Sequence, residues 1–297
     1  MEHLITVFTP TYNRAGTLRR LFESLTSQTS YQFEWLIVDD GSTDNTEELI
    51  IQLQKKCTSF KIRYLKKENG GKHTAINKGI QLAKGFLFFI VDSDDYLTPD
   101  AIASIINWEQ SIASKDNFAG VSGNRGYSNH QLIGETFDGD YLDATALERN
   151  QCNILGDKAE IYYTDVLQRY PFPVFENERF LTESIVWNRM AEDGLKIRWF
   201  NKIIYITEYR DDGLTKHYVQ LLGKNPQGYA LDVKERIRQF NYSKQRVDSE
   251  YFNYYITVKK NVSFAAAAKY LNLSKFNLLK AILCYYSRVL IRKVTAK

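Results

Sequence analysis

Three carboxylates, Asp92, Asp94 and Asp95, stand within four residues where the apolar run "FLFFIV" ends. Carboxylates so closely spaced repel one another, which raises a pKa or strains the loop unless a cation or a donor group sits among them. Hard oxygen ligands suit Mg2+ or Mn2+, above all when the phosphates of a substrate complete the coordination sphere. A second acidic cluster, "DDGSTDNT", follows an earlier apolar run, and "TPTYNR" follows the first one. There Asp40 can accept the N–H of a uracil ring, Tyr12 offers a stacking face, and Pro10 and Thr11 hold the base through backbone contacts. The competing reading is turn and cap chemistry, since Asp-Gly turns and helix N-caps explain many acidic pairs after strands. Thr98 as N-cap and Pro99 as first helical residue fit it too, but it leaves the three acids at 92–95 unexplained.

These clusters need elements to position them. "LITVFTP", "FEWLIVDD", "KIRYLKK" and "FLFFIV" read as strands, and "AGTLRRLFESLTSQ", "STDNTEELIIQLQKKC" and "GKHTAINKGIQLAKG" as the helices between them, the last with Gly85 as its C-cap. Strands alternating with helices predict an α/β fold with a mostly parallel sheet covered by helices on both faces. Such sheets bind ligands beyond the carboxyl ends of their strands, and every polar motif named so far falls there. From Phe118 to Tyr209 the pattern is thinner, with "AGVSGN" and "KIRWFNKIIYITEY" as strands and "TESIVWNRMAEDG" as a helix. Trp187 and Trp199 read as core residues.

The 297 residues suffice for one large domain and a smaller appendage. With 44% hydrophobic and 25% charged residues, the composition favours neither a disordered nor a fibrous class. Cys57, Cys152 and Cys284 are too scattered for a disulfide framework or a paired-cysteine metal site, and reduced thiols suit a cytoplasmic setting. The N-terminus lacks the basic and apolar regions of a signal peptide, and no run is long and apolar enough to cross a membrane. The net charge of +4 hides an asymmetry, because nine Lys or Arg and no Asp or Glu lie between Tyr251 and Lys297. A cationic end on an acidic body points to an anionic partner surface.

From residue 4 to 110, "TVFTPTYNR", "LIVDDGSTDNT", "NGGKHTAINKGI" and "FIVDSDD" resemble, in order and spacing, the family-2 glycosyltransferases, which use nucleotide-sugar donors on the GT-A fold. The resemblance implies that Tyr12 and Asp40 contact the nucleobase, that Asp92 lies near ribose and metal, and that Asp94 coordinates the metal, with Asp95 as a neighbour on the substrate side. It places Asn69, Lys72 and Asn77 along the nucleotide, with Lys72 a partner for the diphosphate or a solvated lysine. It also implies a catalytic base at the start of a later helix. "TESIVWNR" matches that spacing, with Thr182 where an acid is usual and Glu183 where an Asp is usual; Glu178 is the alternative base, and a helix-dipole partner is the alternative role for Glu183. "EYRDDGLTKH" resembles the segment that folds over the donor, so Arg210 and Lys216 are expected at the diphosphate and His217 at the metal.

The expected division is a glycosyltransferase domain over 1–215, with 1–110 for the nucleotide sugar and 111–215 for the acceptor, followed by a basic, mainly helical extension over 216–297. In that extension Phe276, Leu279, Ile282, Leu283, Tyr286, Val289 and Leu290 share one helical face, with Lys275, Lys280, Arg288, Arg292 and Lys293 around it. That pattern suits a helix lying on an anionic membrane leaflet or packing on its own domain. Nothing in it suits nucleic acid. The resulting expectation is a metal-dependent, inverting enzyme of surface-polysaccharide synthesis that uses a UDP-sugar donor and a glycan or lipid-linked acceptor. A sugar nucleotidyltransferase and a non-catalytic glycan-binding scaffold are the alternatives on the same sheet.

Overall fold

β1 (Ile5–Thr11) and β2 (Phe33–Asp39) are buried along their whole length, as strands covered on both faces must be. The computed structural model describes residues 5–208 and 217–295. α1 (Ala15–Thr26) joins the two strands with Leu18, Leu21 and Leu25 turned inward, and α2 (Thr46–Lys56) leads on to β3 (Lys61–Lys66). α3 (Lys72–Leu82) and β4 (Leu87–Ile90) complete the series. β1 pairs in parallel with β2 on one side and β4 on the other, while β3 extends from β2. The chain therefore builds outward and then crosses back over β1, which opens a crevice at the carboxyl ends of β1 and β4.

Further strands extend this parallel half into a mixed nine-stranded sheet. They are β5 (Tyr96–Leu97), β6 (Phe118–Gly126), β7 (Tyr141–Ala144), β8 (Lys158–Tyr163) and β9 (Lys196–Ile206), and the order is β3-β2-β1-β4-β8-β6-β9-β5 with β7 on β9. β8 runs antiparallel to β4 and β6, whereas β6 and β9 are parallel. α4 (Ala101–Gln110), α5 (Thr164–Arg169) and α6 (Ser184–Glu192) complete the α/β fold expected above. Trp187 stacks on Tyr162 at 4.3 Å, and Trp199 is buried with its Nε1 donating to the Ala144 carbonyl. Trp199 belongs to the core, and Trp187 is half-buried.

Two local expectations are corrected. α3 ends at Leu82, and Gly85 is not its cap: a Cβ on Gly85 would lie 2.2 Å from the Thr6 amide nitrogen, so this glycine lets the chain pass against β1 on its way into β4. α4 begins at Ala101 with Asp100 before it, and the Thr98 hydroxyl binds Asp100 Oδ1 at 3.1 Å instead of capping the helix.

The chain divides into two compact units, Met1–Phe172 with Val186–Tyr209, and Pro173–Ile185 with Arg210–Lys297. The expected break at 215 falls among residues outside those described. In the second unit, α7 (Tyr218–Lys224), α8 (Pro226–Gln239), α9 (Lys244–Val258), α10 (Phe264–Tyr270) and α11 (Lys275–Thr295) bury Leu222, Tyr229, Val233, Tyr254, Val258 and Leu278 together. Ser243 and Ser263 accept backbone N–H bonds from Arg246 and Ala266, fixing where α9 and α10 begin.

Candidate active site

The loops beyond β1 and β2 are fastened to each other. Asn13, at a φ of 53° in the left-handed region, accepts the Thr43 amide on its side-chain oxygen at 2.8 Å and donates its own amide to Ser42 Oγ at 2.8 Å. Asp39 is spent on structure, accepting from the Ser42 amide and the Tyr64 hydroxyl. Asp40, 5% exposed, accepts from Lys67 Nζ at 2.6 Å and from the Gly70 and Gly71 amides at 2.9 and 2.7 Å. These bonds bring the "NGG" loop over the end of β2. Gly41 makes the approach possible, because its φ is +87° and a Cβ there would sit 3.1 Å from the Asn69 amide nitrogen. A carboxylate has about four acceptor positions, so three donors leave Asp40 room for one from a ligand.

Tyr12 projects from this platform, 49% exposed. The backbone of Pro10 and Thr11 is less available than expected: both pair with β2, and the Thr11 carbonyl accepts the Asp40 amide at 2.8 Å. The Thr11 hydroxyl, by contrast, is buried with no hydrogen-bond partner. A buried polar atom left so is costly, and a ligand group at this strand end would satisfy it.

The acidic loop beyond β4 rests on two residues from distant strands. Tyr205 of β9 accepts the Asp92 amide hydrogen at 2.9 Å and donates to Asp95 Oδ2 at 2.7 Å. Arg125, at the end of β6, lies over the Tyr205 ring with Nη1 at 4.0 Å from Asp92 and 3.8 Å from Asp95. Lys72, the first residue of α3, meets Asp92 Oδ1 at 2.6 Å. Arg20 of α1 binds the Asp94 carbonyl and pairs with Glu208, and the Glu208 amide reaches Asp95 Oδ1 at 3.3 Å.

Charge is divided unevenly in this loop. Burial works to raise the Asp92 carboxyl, but Lys72 and Arg125 hold it below the usual range. Burial and the charge of Asp92 push Asp94 up, and the same two causes push Asp95 up to about 7. Carboxyls raised in this way would be favoured in their charged form by a divalent ion at their oxygens. Among the described residues no three His, Cys, Asp or Glu side chains converge as a metal site. Asp92 and Asp94 fit such an ion only as partial ligands, with a substrate's oxygens supplying the rest.

Residues 6–138 match the family model described as glycosyl transferase family 2. A 99-residue segment is 40% identical to the chondroitin synthase of Pasteurella multocida strain Pm70, covering 33% of this chain and 10% of that one. Over residues 6–138, somewhat under half of the chain, the similarity is to glycosyl transferase family 2. Over the curated relatives in this range of similarity, the match spans from 10% to 37% of the relative's length. The fold matches S. aureus TarS 1–349 in complex with UDP-GlcNAc at a TM-score of 0.65 and 17% identity, over 94% of this chain and 81% of that one. It also matches the mannosyltransferase PcManGT of Pyrobaculum calidifontis in complex with GDP-Man and Mn2+, at a TM-score of 0.59 and 15% identity, over 95% and 87%.

Not every residue that the family pattern singled out stands free for a ligand. Asn77 is occupied, its amide donating to the Phe172 carbonyl and its oxygen accepting the Phe172 amide, each at 2.8 Å. In the second unit, Glu178 is buried and accepts the Gln227 and Gly228 amides at 2.7 and 2.8 Å, which makes it the cap of α8. Glu183 is half-buried in the turn that opens α6, where Thr182 and Ser184 share a hydroxyl contact at 3.0 Å. His217 is exposed just before α7. Arg210 and Lys216 lie outside the described residues.

Lys67, Arg125, Tyr205 and Arg20 were not among the expected site residues. Each comes from a segment without a family motif, and only the charge of Arg125 at a strand end, "GNRGY", marked it in the sequence. Tyr205 carries no such mark, since "IIYI" reads as ordinary core.

Proposed function

We propose that the chain is a metal-dependent, inverting glycosyltransferase that moves a sugar from a UDP-linked donor to a hydroxyl of a glycan or lipid-linked glycan in surface-polysaccharide synthesis. The observation that carries this reading is the placement of Tyr12, Asp40 and the Asp92–Asp95 loop at the carboxyl ends of three adjacent parallel strands. The UDP-GlcNAc complex of TarS and the Mn2+ complex of PcManGT support a nucleotide sugar and a divalent ion on this fold.

Tyr12 stacks on the base and Asp40 accepts its ring N–H, while the Thr11 hydroxyl and the Asn69 loop line the nucleoside. Asp92, Asp94 and His217 are the proposed ligands of Mn2+ or Mg2+. The ion, when bound, neutralises charge on the departing diphosphate. Lys72 shifts from Asp92 toward that diphosphate, and Asp95 stays behind the loop on Tyr205. Arg210 and Lys216 remain proposed diphosphate partners. Glu183 takes the proton of the acceptor hydroxyl as its oxygen attacks the anomeric carbon; the bond from that carbon to the diphosphate oxygen breaks, and UDP leaves with the electron pair. Glu178 is set aside as base because both its oxygens hold α8. The favoured setting is the cytoplasmic face of an anionic membrane.

Donor hydrolysis tests the reading. The purified chain is offered UDP, GDP and dTDP sugars with Mn2+, Mg2+ or EDTA, and free nucleoside diphosphate is read. Metal-dependent release from a UDP-sugar, abolished in Asp94→Asn, is expected. Absence of both release and metal-dependent UDP binding by calorimetry overturns it.

A further inference from the structure

The second unit ends in a helix with two apolar faces, and only one of them is used. Along α11, Leu278, Ala281 and Ile282 are buried at 0, 5 and 8% exposure, and Tyr285 stacks on Phe252 of α9 at 4.0 Å. These contacts account for how the helix is held. On another side Phe276, Leu279, Leu283 and Tyr286 are 71, 47, 59 and 47% exposed. Spacings of three and four residues put these four on one continuous ridge. The sequence pattern merged Ile282 with this set; the structure separates it, leaving a ridge that is exposed along Phe276, Leu279 and Leu283 and touches the core side only where the Tyr286 ring meets Phe252 edge-on at 5.1 Å.

The surroundings of the ridge say what it fits. Helical spacing places Lys275 at one edge and Lys280 at the other, and both are exposed. Lys259, Lys260 and Lys269 are exposed on the same unit, and no Asp or Glu occurs after Glu250. Arg288 is neutralised by Asp248 at 2.9 Å and is not counted among the free cations. Among the described residues no helix is long and apolar enough to cross a membrane. Aromatic and aliphatic side chains between rows of lysine make a helix that lies in a bilayer interface, apolar ridge in the acyl boundary and ammonium groups at anionic headgroups.

We infer that the Phe276–Leu279–Leu283–Tyr286 ridge of α11 is an interfacial membrane-binding surface for anionic lipid. This deepens the membrane setting given above by naming its contact residues, and it does not depend on the proposed chemistry. The lysine frame favours an anionic bilayer over a second copy of the chain, because two such frames brought face to face would repel.

The test uses the full chain with vesicles of phosphatidylcholine alone or with phosphatidylglycerol added. Sedimentation with the mixed vesicles is expected, weakening as salt is raised. Replacing Phe276, Leu279 and Leu283 together by Ser should weaken partitioning at least about tenfold while leaving the thermal midpoint and metal-dependent donor hydrolysis unchanged, since these side chains are exposed. Lys275→Glu with Lys280→Glu should lose binding to mixed vesicles alone. Equal partitioning of the wild-type chain and the triple Ser variant overturns the inference. So does a wild-type dimer in light scattering that the triple variant converts to monomer, which would assign the ridge to a second copy. Failure of hydrolysis with vesicle binding intact would count against the enzymatic reading and leave this surface standing.

Discussion

The Tyr205 hydroxyl donates to Asp95 at 2.7 Å and accepts the Asp92 amide at 2.9 Å, so one phenol from β9 holds both ends of the acidic loop. Its geometry requires the register of β5 on β9, where Leu97 faces Tyr205 and Tyr96 faces Ile206. That register brings the end of β9 beneath residues 92–95. Lys72, and after it Arg125 over the ring, supply the charge that holds the Asp92 carboxyl below its usual range. Tyr205 is in this sense a positioning residue.

Tyr205→Phe keeps the ring under Arg125 and removes both hydrogen bonds. The loop then loses its anchor, and the apparent Mn2+ requirement for donor hydrolysis should rise about tenfold, with a stability loss of about 1–2 kcal/mol in denaturant titration. An unchanged Mn2+ profile beside the stability loss would reduce Tyr205 to a core residue.

Asp94→Asn separates binding from folding. Burial and the neighbouring charge of Asp92 push the Asp94 carboxyl up, so its charge is unfavourable without a bound cation. The metal-free variant should be as stable as wild type or slightly more so, while metal-dependent hydrolysis falls at least about a hundredfold. A clear drop in the midpoint of metal-free unfolding would show that Asp94 supports the loop itself.

Much of this was legible in the sequence because the residues concerned are local to their elements. "LIVDD" and "FIVDSDD" announce a strand and its polar end within a few residues, and parallel topology then gathers such ends on one side of the sheet. Gly85 was misread, and the Asn77 side-chain bonds were not foreseen, for the opposite reason. Gly85 answers to Thr6, and Asn77 to Phe172, 95 positions away. Arg125 and Tyr205 were missed on the same ground: their partners lie on β4's loop, and strand pairing across β8 and β6 cannot be read from spacing.

Lys67 and Asp40 form a largely buried pair at 2.6 Å, with the Gly70 and Gly71 amides on the same carboxylate. Lys67→Met leaves the carboxylate with only its amide donors, which should lower stability by about 2 kcal/mol. UDP affinity should fall with it, since the "NGG" loop loses its tether, and calorimetry with UDP measures that. Full affinity with reduced stability would detach this loop from nucleotide binding.

Glu178 and Glu183 are five residues apart and should respond oppositely to loss of charge. Glu178→Gln weakens the cap of α8 and is expected to cost about 1–2 kcal/mol in stability. Glu183→Gln should cost less stability than that and lower kcat for transfer at least about a thousandfold with little change in donor KM. The reverse pattern would move the base to Glu178.

Lys158 gives a pH test away from the site. It is 2% exposed, with Nζ donating to Asn124 Oδ1 and the Glu135 carbonyl at 2.8 Å each. Burial, reinforced by the charge of Arg149, lowers its pKa from 10.5 to about 8. A depressed pKa means that the unfolded chain binds the proton more tightly. The stabilising contribution is therefore present above 10.5 and is lost as pH falls through about 8. Between those values the slope is about 1.4 kcal/mol per pH unit. Lys158→Met removes the titration and leaves two acceptors unpaired, at a cost of about 1–3 kcal/mol each. Near pH 7 that loss and the relieved cost of the buried ammonium roughly cancel. By about pH 10 the variant should be the less stable by 2–3 kcal/mol on the same slope. Urea titrations of both proteins at matched pH values measure the difference; a gap that stays constant from pH 7 to 10 would mean that Lys158 keeps its charge in the fold.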